Sequence, residues 1–268
     1  MTRTLTLCTV QPQVLWGDPG RTFSHLEALL AEATAAQAVD LVVLPEHFNA
    51  VLEEPGQTTR QVQAWSFAAD LARRFAVNLV AGSVERWEGS RQGWVNTAVV
   101  FDRAGRELGR YDKRKLFGFE RKRGVLPGQG PLVVDLEGVR CAVLICADLW
   151  YPELVREVAD ADVLCVPAQT VIRPESAPAY ARLLWHSLAL ARGEENVMAV
   201  AVSDHAVGSV GPYRCGGVAT LVDPSAEPDL DAIQRTLPEG RAGYLVATVD
   251  LDKLAAFRRY RRENGLLP

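Results

Sequence analysis

The sequence predicts one α/β domain spanning residues 1–268, and three observations carry that expectation. Short apolar runs of strand length alternate with stretches of helical periodicity along the chain. Several runs, LVVLP, VLCVP and VMAVAV, are apolar throughout, the pattern of strands covered on both faces. No Pro- or Ser-rich linker, internal repeat or low-complexity segment divides the chain.

In order, TLTLCTV reads as a strand, FSHLEALLAEATAAQAV as a long helix and LVVLPE as a strand closed by Pro45. QVQAWSFAADLARRFAV is a second helix and VNLVAGSVE a strand. WVNTAVVFD and RELGRYDKRKLF form a hairpin around Asp102-Arg103-Ala104-Gly105, with Gly105 supplying the turn. PLVVDLEGVRCAVLIC gives two strands around Glu137-Gly138, and PELVREVADA a helix with Pro152 in its first turn. ADVLCVPA is a strand and APAYARLLWHSLALARGEEN a long amphipathic helix. VMAVAVSD, GVATLVDP and GYLVATVD are further strands, and DLDKLAAFRRYRREN closes the chain as a helix capped by Asp250. The reading amounts to ten or so strands and four to five helices.

Composition excludes several function classes. At 268 residues the chain can bury a sizeable core. A net charge of -4 gives no general attraction for nucleic acid or an anionic membrane. The basic stretches RYDKRKLFGFERKR and FRRYRREN read as a salt-bridged surface or a subunit interface. No apolar run is long enough to span a bilayer. The start, MTRTLTLCTVQPQ, alternates like a strand and lacks the features of a signal peptide, so the expected location is cytoplasmic. The five cysteines are an odd number, and four (Cys8, Cys141, Cys146, Cys165) lie in apolar runs, which argues for free thiols in a reducing compartment. No C-x-x-C or H-x-x-x-H occurs, so a structural metal site is not expected, and the thiol chemistry expected below needs no cofactor.

Three residues stand where a strand pattern gives way to a loop: Glu46 after LVVLP, Lys113 in RYDKRKLF and Cys146 in VLICADLW. Functional groups gather at such strand ends in α/β proteins. Together the three make chemical sense. A thiol needs a base or a nearby cation, a carboxylate can shuttle its proton, and an ammonium can favour the thiolate and hold an oxyanion. Singly, each has a plainer reading. Cys146 can be a buried apolar residue, Glu46 a solvated loop carboxylate, and Lys113 part of a basic face with Arg110, Arg114 and Lys115. Asp204 and His205, after an apolar strand, read as an ordinary loop, and Cys215 receives no role.

The wording around these residues resembles the nitrilase superfamily of carbon–nitrogen hydrolases. LVVLPE, YDKRKLF, ICADLWYPE and WHSLALARGEEN occur in the family's order, with a looser match at GGVATLVDP, and the likeness runs from Leu5 to about Tyr260. The resemblance implies a four-layer α-β-β-α sandwich with two mixed β-sheets. It also implies a triad of Glu46 as general base, Lys113 as oxyanion stabiliser and Cys146 as nucleophile, with the Ala147 N–H as second oxyanion donor. Glu120, ahead of Pro127-Gly128, matches the family's second glutamate, one residue further from that Pro-Gly than the pattern has it. Gln169 and Thr170 are expected to wall the substrate pocket. Asp148, where glutamate would favour nitriles, leans towards amides, and the implied substrate is a small linear amide. An N-carbamoyl amine, suggested by C-x-D-x-W-x-P-E, is the alternative substrate, and a catalytically silent binding member the alternative class. Family habit implies a homodimer or higher homo-oligomer.

Overall fold

The computed structural model describes residues 2–51, 59–173, 175–226 and 229–267. Among them the strands, in chain order, are β1 (Thr4–Gln11), β2 (Leu41–Val43), β3 (Asn78–Glu88), β4 (Gly93–Phe101), β5 (Glu107–Asp112), β6 (Leu132–Leu136), β7 (Val139–Val143), β8 (Val163–Pro167), β9 (Ala199–Ser203), β10 (Thr220–Val222), β11 (Gln234–Thr236) and β12 (Gly243–Asp250). The helices are α1 (Pro19–Ala36), α2 (Thr59–Phe75), α3 (Gly118–Lys122), α4 (Pro152–Arg156), α5 (Pro178–Asn196), α6 (Leu230–Ile233) and α7 (Leu251–Glu263), with a short 3₁₀ turn over Cys146–Trp150.

Two six-stranded sheets result, ordered β12-β1-β2-β3-β4-β5 and β11-β10-β9-β8-β7-β6. Each is mixed. β1, β2 and β3 run parallel in the first and β7, β8 and β9 in the second, while the flanking strands pair antiparallel.

Strand alternation explains why the central runs are apolar on both faces. Leu7, Val43 and Val80 point into a core shared by the two sheets, against Val143, Cys165 and Ala201. Their neighbours Cys8, Val42 and Leu79 point the other way, onto Leu26, Leu30, Ala68 and Leu71 of α1 and α2. On the far face of the second sheet, Trp185 and Ala189 of α5 close the core. The layers are therefore helix, sheet, sheet, helix. Each fully buried Leu or Val contributes about 1.5–3 kcal/mol relative to exposure, so this double coverage is the main source of stability.

Local signals hold where they are chemical. Asp250 accepts from Asp252 and Lys253 at 3.0 and 2.9 Å to start α7, whereas α1 begins at Pro19, ahead of the Phe23 start read from the sequence, with Asp18 accepting from the Arg21 N–H at 3.0 Å. The helix expected from Pro152 stops at Arg156. Beyond it, Val158, Ala159 and Ala161 donate to the carbonyls three residues back, which tightens the chain into successive turns. β11 was not legible as a strand, because its three residues are polar and it forms only by pairing with β10. Among the described residues no helix is long and apolar enough to cross a membrane.

Candidate active site

Glu46, Lys113 and Cys146 reach one place from three strand ends. The chain leaves β2 at Val43, but Leu44 still donates to the Val80 carbonyl at 3.0 Å, and the Glu46 N–H crosses to Ala168 on the other sheet at 3.2 Å. This path requires glycine alongside. A Cβ on Gly82 would stand 1.8 Å from the Pro45 oxygen. The Glu46 carbonyl accepts from Nε2 of His205 at 2.6 Å, which fixes that nitrogen as the protonated one. Burial pushes the His205 pKa down to about 4, so the ring is neutral.

Lys113 follows β5 and is clamped through its backbone. Its N–H donates to the Asn96 carbonyl and its carbonyl accepts from Gly128, both at 2.8 Å. Here too a side chain is excluded, since a Cβ on Gly128 would lie 1.9 Å from the Asp112 oxygen. Unlike Arg110 and Arg114, Lys113 is only 1% exposed. Its Nζ donates to Glu46 Oε1 at 2.8 Å and to Glu120 Oε2 at 2.7 Å.

Glu120 is fully buried, not a surface charge. As the third residue of α3 it reaches back to accept from the Phe117 N–H at 2.7 Å, the reciprocal half of a capping box. With the longer interval to Pro127, this carboxylate still bonds Lys113. Asn96, which sequence reasoning missed, donates through Nδ2 to both Glu46 Oε1 and Glu120 Oε1 at 2.8 Å. Its signal was an amide side chain in the middle of the apolar strand WVNTAVVF.

Cys146 opens the 3₁₀ turn with φ +48°, a left-handed backbone that a β-carbon disfavours. The turn is held by Asp148, which accepts from the N–H groups of Ile145 (3.1 Å) and Lys115 (2.6 Å) and from the Tyr111 hydroxyl (2.8 Å). The thiol donates to the Gln169 carbonyl at 3.7 Å. Cys146 is 6% exposed, and that exposure faces a cavity of about 410 Å³ whose lining includes Glu46, Lys113, Ala147 and Gln169. The lining also carries four aromatic side chains, Phe117, Phe119, Trp150 and Trp185.

Gln169 serves the site through its backbone. Its N–H donates to Glu46 Oε2 at 3.0 Å. Among the described residues neither end of its side-chain amide has a hydrogen-bond partner. Asp204 organises the same wall by accepting from the Thr170 N–H (2.9 Å), the Thr170 hydroxyl (2.6 Å) and the Val218 N–H (3.0 Å). Asp204 and His205 are thus buried supports of the site and not the ordinary loop their sequence suggested. Only packing across the two sheets reveals this.

The electrostatics are set by burial. Burial works to raise the Glu46 pKa, but the charges of Lys113 and His47, with hydrogen bonds from Lys113 and Cys146, leave it lowered. Burial would lower the Lys113 pKa, and Glu46, Cys146 and Glu120 raise it well above normal. The Cys146 thiol is pushed well up, by burial first and then by the Glu46 charge, against the opposing pull of Lys113. The lysine therefore does not make a resting thiolate, and the thiol waits protonated beside an ionised carboxylate. Glu46, His47 and Glu120 present ligand atoms within 4.8 Å of one another, but the Lys113 ammonium already holds the cation position between the two carboxylates.

A four-layer sandwich with these strand-end motifs defines a class, and the Carbon-nitrogen hydrolase family model matches residues 5–259. The chain belongs to that family, within the nitrilase superfamily. Among its relatives, a protein from Bacillus subtilis (strain 168) described as 2-oxoglutaramate amidase is 27% identical over 268 residues, covering 94% of this chain and 93% of that protein. A nitrilase of Pyrococcus abyssi is 34% identical over 174 residues, 61% of this chain and 63% of its own length. The amidase from Nesterenkonia sp. AN1, solved as a cysteine-to-alanine variant in complex with butyramide, is 26% identical with a TM-score of 0.71, covering 97% of this chain and 96% of that one.

Proposed function

We propose that this chain, acting as one unit over residues 1–268, hydrolyses a small linear amide, an ω-amide of a carboxylic acid, through a thioester on Cys146. The observation that carries the reading is the Lys113 ammonium held between Glu46 and Glu120 at 2.8 and 2.7 Å, on the same cavity as the Cys146 thiol. The amidase names of the Bacillus and Nesterenkonia relatives support it.

Because the thiol is neutral at rest, its proton moves to Glu46 as sulfur attacks the amide carbon. The oxyanion so formed is held by Lys113 and by the N–H of Ala147. That N–H lies in the first turn of the 3₁₀ segment, where backbone donors lack intrahelical acceptors. Collapse expels the amine, which takes the proton from Glu46 and leaves as ammonia. Glu46 then deprotonates a water that attacks the thioester, and the acid departs as the thiol is restored. Glu120 and Asn96 keep Glu46 and Lys113 in register. The side-chain amide of Gln169 supplies a free donor and acceptor to the substrate.

The test is ammonia release from a panel of amides, N-carbamoyl amines and nitriles, with mass spectrometry of the protein after brief mixing. An acyl adduct on Cys146, absent in Cys146→Ala, is the expected result. Neither ammonia nor adduct from any compound would favour a silent binding member. Turnover of carbamoyl amines alone would favour that chemistry, for which Trp150 in CADLWYPE is the pointer.

A further inference from the structure

We infer that Arg121 selects the substrate at this site by binding a carboxylate at the end remote from the scissile amide. The inference rests on the proposed amide chemistry at Cys146 and assigns what the rest of the substrate carries.

The cavity lining combines buried and exposed groups of different character. Of the buried groups, the two carboxylates Glu46 and Glu120 face one ammonium, Lys113, so an anionic substrate meets no net attraction there. Much of the remaining lining, including Leu116, Phe117, Phe119 and Val171, is apolar and suits a methylene chain. Arg121 also lines the cavity and is exposed to solvent. Its Nε donates to the Leu116 carbonyl at 3.1 Å, which orients the guanidinium plane. Among the described residues no acceptor engages its two terminal nitrogens. That leaves a planar pair of donors, the geometry that takes a carboxylate bidentately.

Lys122, the next residue of α3, does not line the cavity, and four other cations of this basic stretch are engaged elsewhere. Arg110 pairs with Glu107, Arg114 with Glu157, Lys115 with Glu153 and Arg123 with Glu85. Glu120 and Arg121 are consecutive on α3, one turned inward to Lys113 and the other lining the cavity from its exposed side. One helix turn therefore ties the carboxylate clamp to the reaction centre. An ammonium-tailed carbamoyl substrate would meet Arg121 with like charge.

The test compares the monoamide of glutaric acid with pentanamide, which has the same five carbons and a methyl group in place of the carboxylate. Wild-type protein is expected to favour the monoamide in kcat/KM. In Arg121→Gln the ratio of the two kcat/KM values should fall at least about tenfold, the effect of charge-assisted hydrogen bonds, and the fall should lie in KM. Arg121→Lys should restore part of it, through charge without the planar fork. A ratio within twofold of wild type, or an equal loss for both amides, would overturn the inference. A second readout does not need turnover: titration of Cys146→Ala with each amide, followed by tryptophan fluorescence. If wild-type protein hydrolyses neither compound, the linear-amide reading of the site fails. The inference then stands if the monoamide binds better and Arg121→Gln removes that advantage, and falls if there is no advantage to remove.

Discussion

Replacing Glu120 by glutamine tests how the buried charges are shared. The carboxylate takes three donors: Lys113 Nζ and the Phe117 N–H on Oε2 at 2.7 Å each, and Asn96 Nδ2 on Oε1 at 2.8 Å. Glutamine offers one acceptor oxygen and turns an NH₂ group towards one of those donors. If its oxygen keeps Lys113 and Phe117, the NH₂ faces Asn96, which retains only Glu46. Breaking a buried ion pair outright costs about 3–5 kcal/mol, and since Lys113 keeps Glu46 we expect the lower end, about 3 kcal/mol, in urea unfolding. That is a large part of the roughly 5–15 kcal/mol that holds a domain folded. The chemical effect is separate. An ammonium no longer shared turns wholly on Glu46 and makes it a weaker base, so kcat should fall about 10²-fold, a loss within the range general-base catalysis supplies. Ammonia release measured well below the unfolding temperature separates the two effects. A folded Glu120→Gln protein with kcat within threefold of wild type and an unshifted urea midpoint would refute the argument.

Other outcomes follow from the same geometry. Cys146→Ala should keep the fold and lose turnover, while Cys146→Gly should be about 1 kcal/mol more stable than Cys146→Ala, because only glycine is at ease at φ +48°; an alanine variant more stable than the glycine one in thermal unfolding would contradict this. Gly128→Ala places a β-carbon 1.9 Å from the Asp112 oxygen, so the backbone beside Lys113 must move; we expect a loss of more than about 3 kcal/mol, read as a lowered urea midpoint, with activity falling alongside. Burial raises the Asp204 pKa from the ordinary 3.8 to about 6. Between those values the folded chain holds more protons than the unfolded one, so the contribution of Asp204 to stability falls as pH rises across that window, by on the order of 3 kcal/mol. The stability advantage of wild type over Asp204→Asn should accordingly shrink from pH 4 to pH 6, and a constant or growing advantage in urea titrations would show the assignment of the proton to be wrong.

The parts of the site that were legible in sequence are those marked by a change of pattern. Pro45 ends a strand before Glu46, and Cys146 interrupts an apolar run. The spacing of YDKRKLF and ICADLWYPE carried a resemblance that single residues did not. What stayed hidden were polar side chains whose partners come from other elements. Asn96 bridges two carboxylates from the middle of β4, and His205 bonds the Glu46 backbone across the two sheets. Both are distant in sequence from what they touch, and neither alters the local periodicity. Asp204 looked like a loop carboxylate because its burial depends on Thr170 and Val218, which reach it from other segments.

By itself the sequence determined the alternation of strands and helices, the coverage of both sheet faces and the identity of the groups placed at strand ends, since these depend on residue type and short-range spacing. Only the tertiary structure decided that Lys113 is shared between two carboxylates, that the Cys146 thiol rests protonated and that Arg121 lines the cavity beside an inward-turned Glu120. Those properties arise from desolvation and from charges a few ångströms apart, quantities that exist only once distant segments are packed against one another.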